Sequence, residues 1–527
     1  MTIRRLIPVI IGIVMVSAAA PAAAQNDSRP FRTSAYLPLD HWAYPYINTL
    51  LARGGLEGLP LAVQPYRRVD IATSVANALE SDDLSGAERE WLQAISQELE
   101  YETSLVTGRE RQELRFATEV SGGVNGVSQR HRDVLRPEGD EALWPVLGLN
   151  LSADAPAIAA AFDFRWDRHY INDPQFPGGR VNQFRECDPI VAECSYRVEE
   201  GYIEVQLPYV RLSFGRMYRN WAVPGTRGLL LSDYAYSYDH IGYQFGTSKL
   251  SMSGMFTPLA DFGTDTTRYL AMHRLDWQIR DNLLLSLSES VIWGGEGAKL
   301  DFNIINPIGI WEINPQSGTA QRNTLGLVEL WWRPFGNLIT HGSLLVDNTR
   351  VGEEGEKGGL TQYAAAFGVQ IPRITPTFAL RGDFSVVSSL AYRSRIGDVE
   401  YYAVDGIGLA HDLTDALTYR LTGDWLVSPH VFLNPGVTVM RRGTANLRQA
   451  WPEDAFTTYD PLLVGTVETT IRPALGGQIR FPYGEVTWDA GINFVKNVDN
   501  MDGNWETKGV ANTRIMLRKR FSSIIAR

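Results

Sequence analysis

Residues 155–170 read APAIAAAFDFRWDRHY, and the second half of this stretch alternates between apolar and charged side chains. A β-strand directs successive side chains to opposite faces, so one face of this segment is apolar and the other is charged. A membrane barrel and a soluble sandwich both contain such strands, and the rest of the chain has to distinguish them. The apolar face consists of Ile158, Ala160, Phe162, Phe164 and Trp166, and the charged face of Asp163, Arg165 and Asp167.

The same alternation recurs from Gln112 to the end of the chain. Most of the alternating segments have about 9–14 residues, the length with which a tilted strand crosses a bilayer. Short turns such as SADA, RDN and PFG alternate with long loops. A regular alternation of short and long connections is typical of outer-membrane barrels, so we predict an all-β transmembrane barrel of about 18 antiparallel strands. The predicted long loops are 122–143, 169–199, 218–235, 294–321, 391–415 and 441–463.

The residues before the barrel have a different pattern. The N-terminal stretch MTIRRLIPVIIGIVMVSAAAPAAAQ contains two arginines, an apolar run and an Ala-Ala-Ala cleavage site, which together indicate an export signal. Residues 40–108 repeat apolar side chains at helical spacing, with Asp40 and Ser85 as expected N-caps. We therefore predict an outer-membrane location with the helical domain in the periplasm. The predicted divisions are a signal peptide at 1–24, a linker at 25–39, a periplasmic helical domain at 40–108 and a barrel at 109–527.

Composition limits the partners of the chain. The formal charge of −11 includes Arg4 and Arg5, so the mature chain has about −11 − 2 = −13, which argues against nucleic acid as a partner. The expected partners are instead outer-membrane lipid, the barrel insertion machinery and a surface polysaccharide. Cys187 and Cys194 share one polar loop of an exported chain and are expected to form a disulfide. A metal site at this pair would lack further ligands, and we expect no cofactor or metal.

Charged residues on the polar faces of the predicted strands would line the barrel interior. Opposite charges across a lumen can pair and stiffen the wall, which we favour over the alternative of a selectivity role. His273 and Glu289 differ from this set, because both fall on apolar faces. The predicted lumen charges are Asp163, Arg165, Arg211, Arg274, Asp276, Arg381, Asp383, Asp489 and Arg514.

Three stretches resemble the capsule assembly Wzi family of outer-membrane proteins. They are WAVPGTRGLLLSDYAYSYDHIGYQF at 221–245, SESVIWGGEGAKLDFNIINPIGI at 288–310 and RNTLGLVELWWRPFGNLITHGSLLVDNTR at 322–350. Trp221 to Gly225 resembles the Trp-Gly-Pro-Gly motif of the family with one extra residue. The resemblance implies a large barrel with a periplasmic helical bundle that holds exported polysaccharide at the cell surface as a lectin.

A polysaccharide site needs aromatic faces for sugar rings and polar groups for hydroxyls, and outward loops are where a surface polymer can reach them. An alternative role for the aromatic residues is the interface girdle that surrounds such barrels. The Gly-rich loop 294–321 could also fold into the pore and plug it. The candidate binding residues are Trp221, Arg227, Trp293, Trp311, Glu312, Trp451 and Glu453.

Catalytic motifs are missing from the sequence. It contains no Gly-x-Ser-x-Gly elbow and no His-Glu-x-x-His zinc motif. His240 follows Asp239 on a predicted strand, where the two side chains point to opposite faces. We therefore expect a non-catalytic, polysaccharide-binding barrel rather than an enzyme. The alternative is a porin-like channel for small solutes or sugars, and whether loops occlude the lumen distinguishes the two.

Overall fold

The structure is a computed structural model of the chain. No helix in the part that it describes is long and apolar enough to cross a membrane. The description covers residues 32–525 except 111, 130–132, 137–140, 168–182, 188–190, 208, 260–266, 296–297, 300–303, 305, 307–308, 310, 312–320, 348–361, 395–396, 405 and 453–460.

Four short helices precede the barrel: α1 (Tyr44–Arg53), α2 (Arg68–Leu79), α3 (Gly86–Glu98) and α4 (Glu100–Val106). Ser85 caps α3 as predicted and forms a capping box with Glu88, in which each side chain binds the backbone amide of the other residue. The expected cap at Asp40 is wrong, because α1 begins at Tyr44 and Ala43 is its N-cap. Asp40 instead forms ion pairs with two arginines of the barrel wall.

The barrel wall is a closed antiparallel sheet of 18 strands, as predicted, and the short strand Gln183–Cys187 extends the same sheet beyond the wall. Consecutive strands pair, and the last strand closes the barrel on the first, with Leu114 opposite Ile525. The strands are β1 (Leu114–Val127), β2 (Ala142–Asp154), β3 (Ile158–Asp167), β4 (Val191–Leu207), β5 (Val210–Met217), β6 (Tyr238–Gly246), β7 (Leu250–Leu259), β8 (Thr267–Arg280), β9 (Leu283–Gly295), β10 (Gln321–Phe335), β11 (Leu338–Asp347), β12 (Tyr363–Thr375), β13 (Phe378–Val387), β14 (Ala416–Ser428), β15 (Val431–Arg442), β16 (Glu468–Phe481), β17 (Gly484–Lys496) and β18 (Trp505–Ile525).

Short and long connections lie at opposite ends of the barrel, which we call the turn end and the loop end. The opening segment is β3, and its register against β2 places Asp163 opposite Asn150 and Phe162 opposite Leu151. Polar residues therefore face polar residues on the lumen side, and apolar residues face apolar residues on the outer side. Ser522 to Ile525 still belong to β18 and pair with β1.

The outer surface of the wall is apolar. Leu143, Phe214 and Phe335 are 75%, 67% and 71% exposed, and many other outward leucine, isoleucine and aromatic side chains are also exposed. An apolar band of this kind would be unfavourable in water and favourable against hydrocarbon. The lipid-facing side of the opening segment is therefore its even-numbered side.

The helical domain closes the turn end. Its apolar core, which contains Ile47, Leu50 and Trp91, continues onto Trp331 and Leu426 of the wall. The helices are also tied to the turns by hydrogen bonds. The Tyr46 hydroxyl donates to the carbonyl of Ser428 over 2.6 Å, and Arg53 donates to the carbonyls of Pro372 and Pro376. We call residues 32–106 the plug.

Two long connections fold inward from the loop end. The loop 218–237, between β5 and β6, meets the plug in the lumen, where Gln64 and Asn220 exchange two backbone hydrogen bonds of 3.0 Å. The loop 388–415, between β13 and β14, packs on the first loop, and the Tyr392 hydroxyl donates to the carbonyl of Leu229 over 2.7 Å. The plug and these two inner loops together fill much of the described lumen.

Candidate functional site

The two inner loops build an apolar core inside the barrel. Trp221 is 3% exposed in this core, and its carbonyl accepts a hydrogen bond from Arg274 over 3.4 Å. Its indole therefore presents no free face to a sugar at the barrel surface, contrary to the expectation for this candidate. The wall residues of the core come from β7 to β13 and are Met255, Leu259, Leu270, Met272, Ile292, Leu325, Leu327, Leu345, Ala364 and Val387.

Trp293 and Trp311 are also buried, but on the outer side of the wall. They pack with Ile304 against Ala271 and Val291, which face outward from β8 and β9. The described residues of the loop 294–321 thus lie over the outside of the barrel and not in the pore. At 0% and 2% exposure, neither indole offers a free face to a sugar.

The same loop explains the two polar residues on the apolar faces of their strands. His273 and Glu289 lie opposite each other on β8 and β9, with 3.3 Å between Nε2 and Oε2. Trp311 stacks on the His273 ring at 4.2 Å between centroids, and its backbone N–H donates to Glu289. The register predicted from the sequence was therefore correct, and the chain shields the polar pair with its own loop.

Two predicted site residues are accessible at the loop end. The side chain of Arg227 is 63% exposed and lies 3.3 Å from Asp233. Trp451 is half-buried, and its backbone N–H donates to Ser394 of the second inner loop. The predicted candidates Glu312 and Glu453 lie outside the described residues. So do the side chains of Cys187 and Cys194, and the disulfide stays a prediction.

One exposed cation at the loop end was missed from the sequence. The side chain of Arg448 is 41% exposed, lies 3.4 Å from Asp412 and donates to the carbonyl of Gly406 over 2.6 Å. Burial lowers the pKa of the neighbouring His411 to about 4, and the charge of Arg227 acts in the same direction. Arg227 of the β5–β6 connection, which also lines the lumen cavity, and Arg448 and Trp451 of the β15–β16 connection are what we call together the loop-end face. No spacing pattern marks Arg448, because loop folding alone brings it there.

Every predicted lumen charge takes part in an ion pair. Arg274 is fully buried between Asp276, at 2.7 Å, and Glu329. Three of the charges, Arg165, Arg211 and Arg514, pair with acids of the plug, which ties the plug to the wall. This arrangement matches the structural role favoured from the sequence. The other pairs are Arg381–Asp383 at 2.9 Å, Asp163–Arg165 at 3.2 Å, Asp489–Arg472 at 3.1 Å, Arg211–Asp70 at 3.5 Å and Arg514–Asp40 at 3.3 Å.

The remaining lumen contains a polar cavity of about 600 Å³ along β1–β4, β17 and β18. A β-bulge in β4 directs two consecutive carboxylates into the lumen, Glu199 and Glu200, which are both buried. Glu199 accepts a hydrogen bond from the Tyr218 hydroxyl over 2.7 Å, and Glu200 accepts one from the Tyr218 backbone N–H. The sequence contains the acidic doublet but no signal for the bulge.

A closed 18-strand wall with an apolar outer band and a filled lumen defines a transmembrane β-barrel of the outer-membrane type. The fold is similar to that of Wzi, an outer-membrane protein involved in group 1 capsule assembly in Escherichia coli, whose solved structure is described as a carbohydrate-binding β-barrel. The TM-score is 0.59 at 14% identity, and the match covers 92% of this chain and 99% of that one. The similarity expected from the sequence is thus confirmed at the level of the fold.

Two solved structures of Pseudomonas aeruginosa proteins are also similar, at lower scores. OpdO aligns with a TM-score of 0.43 and 9% identity over 78% of this chain and 97% of its own. OprD aligns with a TM-score of 0.42 and 8% identity over 77% of this chain and 95% of its own. No family model matches the sequence, and no curated protein is detectably similar to it.

Proposed function

We propose that this barrel binds exported capsular or exopolysaccharide at the cell surface and holds it there without changing it chemically. The observation that carries the proposal is the filled lumen. A wide channel for sugars needs an open path, and here the plug and the inner loops occupy the apolar side of the barrel. A filled barrel suits a protein that holds a polymer. The carbohydrate-binding description of the similar Wzi barrel supports the same function.

The orientation of the barrel follows from its connections. Outer-membrane barrels have short turns on the periplasmic side and long loops outside. We therefore assign the turn end and the plug to the periplasm, and the loop end to the cell surface. Insertion in this orientation would rely on the cellular insertion machinery and on outer-membrane lipid around the apolar band. The loop-end face is then the surface that a polymer outside the cell can reach.

The loop-end face combines the groups that a sugar polymer needs. Arg227 and Arg448 can donate several hydrogen bonds to hydroxyl or carboxylate oxygens, and a carboxylate would make the bonds charge-assisted. The half-buried Trp451 can supply an apolar surface for a sugar ring. The chain is acidic overall, so these arginines would give the face a local attraction for an acidic polymer.

The test is polysaccharide retention in the source bacterium. Deleting the gene is expected to leave total synthesis intact, while the cell-bound fraction falls and polymer appears in the medium. The variant Arg227→Ala/Arg448→Ala should restore retention poorly, and its purified barrel should bind isolated polymer about tenfold more weakly or worse. Trp451→Ala should weaken binding of the polymer but leave the salt dependence of binding unchanged.

Arg373→Ala is the matched control, because Arg373 is a half-exposed arginine at the opposite, turn end. This variant should retain polymer like the natural chain. Unchanged bound polysaccharide in the deletion strain would refute the holding function. Unchanged size of the bound polymer after incubation with the purified barrel is expected, and shortened chains would refute the non-catalytic part of the proposal.

A further inference from the structure

The polar side of the lumen contains two adjoining cavities. The larger one, of about 600 Å³, extends from Trp144 and Arg227 near the loop end to Asp40 of the plug. The second, of about 100 Å³, continues from Asp40 to Glu98 and Arg520 near the turn end. Both are lined by Asp40, Asp163, Arg165, Glu200 and Arg514. Within the described residues, the two cavities form what we call the polar slot, which runs beside the plug.

An ion cluster marks the junction of the two cavities. Asp40 precedes α1, and its Oδ2 atom lies 3.3 Å from Nη1 of Arg514 on β18 and 3.6 Å from Nη2 of Arg165 on β3. Arg165 also lies 3.2 Å from Asp163. The Asp40 side chain is 48% exposed, so it faces open space inside the lumen. The plug therefore meets this side of the wall through charged groups with space around them.

The lining of the slot is suited to hydrated ions. Charged and hydroxyl groups can replace water around an ion, whereas apolar constrictions lose their water and block ions. In the larger cavity carboxylates outnumber guanidinium groups, and in the smaller cavity the two are equal in number, so the slot as a whole has more carboxylates. An excess of negative charge raises the local concentration of cations and lowers that of anions. A path with this lining is therefore expected to favour cations.

We propose that the polar slot conducts small hydrated cations past the plug, and that Asp40 supplies negative charge where the two cavities adjoin. The apolar side of the lumen is filled, so the conductance is far below that of an open barrel with the same number of strands. This activity is separate from polysaccharide holding and does not depend on it.

The experiment is ion conductance of the purified, full-length barrel in planar lipid bilayers with a KCl gradient. The natural chain should give small conductance steps, and the sign of its reversal potential should indicate cation selectivity. Asp40→Asn keeps the side-chain volume but leaves Arg165 and Arg514 without their shared partner. The reversal potential should then shift toward anion selectivity.

Asp70→Asn is the matched control. Asp70 also belongs to the plug and lies 3.5 Å from a wall arginine, Arg211, but it lines a separate cavity of about 320 Å³. The reversal potential of Asp70→Asn should equal that of the natural chain. Asp489 lies on the wall of the larger cavity, and Asp489→Asn should cause a smaller shift of the reversal potential in the same direction as Asp40→Asn. If Asp40→Asn does not fold, Asp489→Asn serves as the test variant.

The proposal is overturned if the natural barrel conducts no more than the lipid alone. Equal reversal potentials for the natural chain and the slot variants would also overturn it, as would equal shifts for Asp70→Asn and the slot variants. Polymer retention is measured separately, so a failure here leaves the proposed holding function to its own test.

Discussion

On the side of β7–β13 the lumen is filled by apolar side chains of the inner loops, whereas on the side of β1–β4, β17 and β18 charged residues surround the polar slot. Both sides belong to one continuous wall with the same inward and outward alternation. The difference lies in what the wall meets. Apolar surfaces exclude water and pack closely, while charged surfaces keep water between the plug and the wall. One barrel can therefore be sealed on one side and hydrated on the other.

The largest expected effect comes from removing an arginine on the filled side. Arg274→Ala would leave the buried carboxylates Asp276 and Glu329 without their shared cation, so the free energy of unfolding should fall by about 3–5 kcal/mol. Arg165→Ala on the hydrated side removes a partly exposed arginine and should cost about 1 kcal/mol or less. Urea unfolding of both variants in detergent or lipid measures the difference, and equal losses would contradict the comparison.

A smaller loss of stability is expected where α3 of the plug is attached to the turn end of the filled side. Glu88 is buried, completes the capping box of α3 and pairs with Arg53 and with Arg373 near the end of β12. Burial raises the pKa of Glu88, but hydrogen bonds from Ser85 and Arg53 outweigh it and lower the pKa to about 2. Glu88→Ala should cost about 1–3 kcal/mol, because Arg53 loses its buried partner.

Limited proteolysis of the plug in the intact barrel measures the loss of stability in Glu88→Ala. Asp40→Asn is the comparison on the hydrated side, where the exposed ion pairs should contribute about 1 kcal/mol or less. Faster cleavage of the plug in Asp40→Asn than in Glu88→Ala would show that the charged side, and not the filled side, holds the plug.

The smallest expected effect concerns pH at the loop end. His411 has a pKa of about 4 in the folded chain, below the value of about 6.5 for an unfolded histidine. Between these values the opened loop binds more protons than the closed one, so the closed state loses stability as the pH falls from 7 toward 4. Partial exposure limits the loss to about 1 kcal/mol at pH 5.

Hydrogen exchange of residues 388–415, corrected for the intrinsic pH dependence, measures this opening. The exchange of the natural chain should gain a pH dependence that His411→Asn lacks. The same acceleration in both chains would assign the pH effect to another group.

Particular residues show how far the sequence predicted the site. Asp163 and Arg165 were assigned to the lumen because a period of two allows no other placement beside apolar neighbours. Trp221 and Trp311 both lie in long loops, yet one packs inside the barrel and the other outside it. No local pattern separates these outcomes, because each depends on which distant surface is left uncovered. The role of Arg448 depends in the same way on loops that meet only in the folded chain.

The sequence by itself determined the wall: the period of two, the strand lengths and the alternation of short and long connections require a barrel with an apolar outside and a polar inside. These are local properties, since each strand carries its own pattern. Only the tertiary structure decided what fills the lumen. The two inner loops, the bulge at Glu199 and the position of Asp40 between Arg165 and Arg514 join residues that lie tens to hundreds of positions apart. Their energies arise from contacts across the barrel, which no single stretch of sequence contains.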